Sequence, residues 1–85
     1  MLLPATLTFD QAAAALAALP ADGSACAIDA GALREFDSSA LALLLQARRL
    51  AQAAGHGFEV RAAPPKLRQL AQLYGVHELL GLAAG

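Results

Sequence analysis

Cysteine is nearly absent from this chain, and a lone Cys26 excludes an internal disulfide and any metal site built on several thiolates. With Ala25, Ala27 and Ile28 around it, Cys26 reads as a small hydrophobe of a buried strand. Basic charge is not in excess either. Six Lys and Arg against seven Asp and Glu leave a net charge of −1, and no segment gathers the basic residues into a stripe, which argues against nucleic-acid binding. No apolar run approaches the roughly 20 residues needed to span a bilayer, and the start lacks the basic and apolar regions of a signal peptide, so a cytoplasmic location is expected. None of the glycines falls in a GxGxxG or GxxxxGK arrangement, which excludes the familiar phosphate-cradling loops. His56 and His77 lie beside glycines in loop-like stretches, without a partner at triad or ligand spacing. These absences point away from an enzyme and from any cofactor.

What the chain does have is apolar mass: 58% of its 85 residues are hydrophobic, many of them alanine. Alanine favours helices but contributes little burial, so one small domain over residues 1–85 with marginal stability is expected. Pro4 limits Met1-Leu2-Leu3 to an edge strand or a strand end. Thr8 and Gln11 fit a capping box, with Leu7 and Ala12 as its staple, and predict a helix over about 9–19 that Pro20 stops. Ala21-Asp22-Gly23-Ser24 is turn chemistry, and Ala25 to Asp29 is a short run suited to an interior parallel strand. Residues 30–36 read as a connection, with Phe36 as its anchor in the core.

A second helix is expected over about 39–54, ended by Gly55, with Ala40, Leu43, Leu44, Ala47, Leu50, Ala51 and Ala54 at spacings of three and four on the sheet-facing side. Stepping 100° per residue puts Leu41 and Leu45 off that face, beside Arg48, Gln52 and, less closely, Arg49. These two leucines are either an exposed docking patch or the seat of a neighbouring helix. Phe58 to Arg61 alternates like an edge or half-buried strand. Pro64-Pro65 opens a third helix with Leu67, Leu70, Ala71 and Tyr74 on one side, and Gly75 caps it ahead of a short amphipathic helical turn at His77 to Leu82. Strands alternating with helices predict an α/β layer fold with a largely parallel sheet.

The stretch around which this order turns is Asp37-Ser38-Ser39, where the irregular approach ends and the longest helix begins. Asp37 or Ser38 can cap the helix by accepting from its unpaired first-turn N–H groups. A hydroxyl at this end of the helix dipole would also carry a phosphate at reduced electrostatic cost, and the added charge would repel a partner docked there.

Ala25-Cys26-Ala27-Ile28-Asp29, then Phe36-Asp37-Ser38-Ser39-Ala40-Leu41-Ala42-Leu43-Leu44, then Leu70-Ala71-Gln72-Leu73-Tyr74-Gly75-Val76 together resemble the STAS domain family, the fold of anti-sigma factor antagonists. The resemblance covers nearly the whole chain, with the amino-terminal strand hairpin reduced to a few residues. In antagonists the residue phosphorylated by a partner kinase follows the motif aspartate, which by resemblance is Ser38, with Ser39 as second choice. Antagonists commonly have glycine after the two hydroxyl residues, where this chain has Ala40. The Leu70 to Leu80 ending is closer to the small cytoplasmic STAS subunit of Mla phospholipid-trafficking ABC transporters. That branch implies a non-catalytic domain docked on the transporter's ATPase subunit, and so held beside the inner membrane only through its complex. By resemblance Asp37, Ser38, Ser39 and Leu41 would face the ATPase, and the wheel adds Leu45, Arg48 and Gln52. The antagonist branch implies instead a serine kinase acting as an anti-sigma factor.

Overall fold

A computed structural model of the chain describes residues 1–82. In chain order its elements are β1 (Thr6–Leu7), α1 (Phe9–Ala18), β2 (Ala27–Asp29), β3 (Glu35–Phe36), α2 (Ser38–Ala53), β4 (Glu59–Arg61) and α3 (Pro65–Leu73). The capping box of α1 forms: the Gln11 side-chain oxygen accepts from the Thr8 N–H at 3.3 Å and from the Thr8 hydroxyl. Leu7 and Ala12, the two residues of the staple, are both buried in the core. α2 ends where Gly55 takes a φ of 79°, and α3 ends before Gly75 at 72°, the left-handed conformations that only glycine adopts without strain.

Every strand pair is parallel. β1 lies on β3 with Thr6 opposite Glu35 and Leu7 opposite Phe36, and β2 lies on β4 with Ile28 opposite Val60. The two pairs are joined through the amino-terminal segment. Leu2 bridges Asp29, with the Leu3 N–H donating to the Asp29 carbonyl at 2.9 Å and the Asp29 N–H donating to the Met1 carbonyl at 2.8 Å. The first seven residues therefore change partners, from β2 to β3, across Pro4, which has no N–H to give to either.

The structure decides or refines three expectations here. Residues 30–36 are not merely a connection, because they end in β3, whose approach is fixed by the Arg34 and Glu35 N–H groups donating to the Ala5 carbonyl at 2.7 and 2.9 Å. Leu41, off the sheet-facing side of the wheel, is buried at 3% exposure, and Leu45 is half-buried against the same cluster, which favours a covered seat over an exposed docking patch. α2 packs on α1, and its buried residues Ala40, Leu41, Leu43, Leu44, Ala47 and Ala51 span more than one face of the helix. The ending at 77–82 is a set of hydrogen-bonded turns that drives Leu80 and Leu82 into the core.

One cluster runs through the described residues, with Leu3, Leu7, Ile28, Leu33, Leu43, Leu44 and Leu67 fully buried in it. Gly23 lies against its edge with a φ of 75°, and a Cβ there would overlap the Leu50 carbonyl and come within 2.9 Å of the Ala54 side chain. The turn between α1 and β2 thus sits directly on the last turns of α2. Gly23→Ala is expected to cost about 2 kcal/mol or more through the left-handed backbone and the overlap together. A thermal melt should show the transition about 8 °C lower or more.

Candidate functional site

Asp37 is the N-cap of α2, with an extended backbone, φ −128° and ψ −166°. Its Oδ1 accepts from the Ser39 N–H at 2.9 Å, the local capping geometry that a short acidic side chain favours. Its Oδ2 accepts from the Phe9 N–H at 3.1 Å, so the same carboxylate reaches the first helical residue of α1. Hydrogen bonding to the charged form holds the Asp37 carboxyl below its ordinary 3.8, first through the Ser39 N–H and then, partly offset by desolvation, through the Ser39 side chain and the Phe9 N–H.

The sign of the resulting pH dependence follows. A carboxyl depressed in the folded state contributes stability above its ordinary value and loses that contribution as pH falls through the lower folded value. Asp37→Asn should therefore melt below the wild type near neutral pH, with the gap closing as pH drops below 3.8, as paired thermal melts would show.

Ser38 and Ser39 differ in what they offer. Ser38 is the first residue of α2 and is exposed, and its hydroxyl makes no hydrogen bond among the described residues. Ser39 is half-buried, and its N–H is the donor to Asp37. Of the two hydroxyls, Ser38 is the one open to a partner or a modifying enzyme.

A groove of about 450 Å³ opens beside this turn. Phe36, Asp37 and Ser38 form one wall, and α3 supplies the other through Lys66, Gln69, Leu70 and Leu73, with Tyr74 just beyond its end. Leu73 and Tyr74 are 80% and 57% exposed, the largest apolar surfaces that α3 shows to solvent. The groove therefore combines apolar side chains with a carboxylate from one wall and an ammonium from the other. Of the residues singled out from sequence, Asp37 and Ser38 line it. Leu41, Leu45, Arg48 and Gln52 do not: Leu41 is buried, Leu45 and Arg48 are half-buried, and only Gln52 is fully exposed.

Sequence reasoning missed the α3 wall. Lys66, Gln69 and Leu73 are spaced three and four apart on one helical face, a signal present in the residues but dominated by the core face of the same helix. Tyr74, expected on that core face, is exposed because it is the C-cap, where the chain already turns toward the left-handed Gly75.

The family comparison gives this geometry its context. The STAS-family model described as "Mlab, STAS domain" matches residues 6–81. The chain belongs to the MlaB-type STAS domain family. Comparison with curated proteins and with solved structures returned no match. STAS domains are in general non-catalytic binding domains, so the family makes this chain a binding or regulatory module. No helix among the described residues is long and apolar enough to cross a membrane.

Proposed function

We propose that this STAS domain is a non-catalytic subunit that docks on the ATPase subunit of a Mla-type phospholipid-trafficking ABC transporter and supports its assembly or activity. The observation that carries the reading is the open groove at the start of α2, flanked by exposed Leu73 and Tyr74, in a chain of the MlaB-type family. Exposed large apolar side chains around a polar turn are the anatomy of a protein interface, with aromatic and leucine anchors inside and charges at the rim. Asp37 and Ser38 supply the polar turn on the groove, with half-buried Ser39 behind them, and Lys66 and Gln69 extend it onto α3. Gln52 lies at the far end of α2 and Arg48 a turn before it, so a partner reaching along the helix would meet them as a second, peripheral contact. Any membrane association is then indirect, through the complex.

The exposed and unbonded Ser38 hydroxyl favours a second reading, an anti-sigma factor antagonist switched by phosphorylation at Ser38 by a serine kinase. The two separate on purification of the tagged chain from its host with mass spectrometry of what co-elutes. An ABC ATPase with its permease supports docking on the transporter. A serine kinase, with phosphate on Ser38 after incubation with ATP, supports the switch. Recovery of neither contradicts both.

A further inference from the structure

The two helix starts that meet at Asp37 are separated by 28 residues of sequence, and each spends one carboxylate oxygen. α1 has its own capping box in Thr8 and Gln11, which satisfies the Thr8 amide and leaves the Phe9 N–H in need of an acceptor. Asp37 is that acceptor. The residue it holds, Phe9, is 74% exposed, so the start of α1, tied by its backbone to the turn bearing Ser38, presents a large apolar side chain to solvent. We propose that Asp37 is a shared clamp, one oxygen to each helix, through which a change of charge or contact at Ser38 is transmitted to the start of α1 and its exposed Phe9.

The clamp needs two acceptors on one side chain. A carboxylate has them, whereas the carboxamide of asparagine keeps the shape but has one oxygen, and serine also has one. Asparagine and serine are good N-caps, so Asp37→Asn and Asp37→Ser both keep α2 capped through the local Ser39 contact and release the distant one to Phe9. The start of α1 then loses its tie while the start of α2 does not. Phe9 thereby becomes part of the surface that responds to whatever occupies Ser38, although it lies on a different helix.

Amide-resolved NMR on the full chain tests this. In Asp37→Asn the Phe9 amide should exchange roughly tenfold faster than in the wild type, with the Ser39 amide little changed. Ser38→Glu should shift the Phe9 to Gln11 amides in the wild-type background and lose that effect when Asp37→Asn or Asp37→Ser is added. Shifts at Phe9 that are equal in both backgrounds would mean that the charge acts directly through space, and would overturn the clamp. So would unchanged exchange of Phe9 in Asp37→Asn. Using both caps guards against one of them failing to fold, and the readout does not depend on the identity of any docking partner.

Discussion

If the domain docks on the ATPase subunit as proposed, Leu73→Glu and Tyr74→Ala should each weaken that binding by about thirtyfold or more, near 2 kcal/mol, while leaving the melting temperature close to that of the wild type. The separation of the two effects is what makes the result informative. Leu73 is 80% exposed and Tyr74 57%, so neither contributes to the core, and substitutions at such positions ordinarily change stability little. A buried glutamate at the centre of an interface would be left unpaired and desolvated, which is why the acidic change at Leu73 should be the more damaging of the two. Binding measured by surface plasmon resonance, with a melt on the same samples, checks both halves. Loss of binding together with loss of folding would remove the support these residues give to a docking surface.

The largest effect on folding is expected at Leu44. It is fully buried in the middle of α2, where the helix meets the rest of the core, and Leu44→Ala should cost about 3 kcal/mol through lost transfer energy and the cavity left behind. A domain of 85 residues has roughly 4–13 kcal/mol to lose, so this one change removes a large part of its margin. Chemical denaturation should show a midpoint well below that of the wild type with a similar slope. Leu41→Ala offers a sharper comparison. Were Leu41 part of an exposed patch, the substitution would be nearly neutral; buried at 3%, it should cost about 2 kcal/mol or more.

That contrast shows where the residues spoke for themselves and where they did not. The helices were legible because their signals are local. The Thr8 and Gln11 pair, Asp37 before a run of helix formers, Pro64-Pro65 and the two left-handed glycines at 55 and 75 place all three helices to within a residue or so. β2 and β4 were legible as short apolar or alternating runs. β1 and β3 were not, since each is two residues long and exists only because Ala5 and Glu35 meet across the fold, a contact with no sequence period.

The turn at Asp37 to Ser39 was legible as a helix start, and its chemistry could be argued from capping alone. Its neighbours could not. The groove arises because α3 comes alongside that turn, and the reach of Asp37 to Phe9 spans two elements that sequence places far apart. The wheel left Leu41 undecided for a related reason: it counts faces of one helix, and only the fold shows that α1 packs on α2. At Tyr74 it was carried one residue past the point where the helix stops.

The most direct test of docking at the start of α2 is calorimetric titration of the purified chain into the purified ATPase subunit of the transporter found in the same host, with Ser38→Glu run alongside. Ser38 lines the groove and is exposed, so an acid there places new charge at the contact without touching the core. A saturable one-to-one complex with the wild type, and binding weaker by about tenfold or more with Ser38→Glu, is the predicted result. No binding by the wild type, or equal affinities for the two, would contradict it.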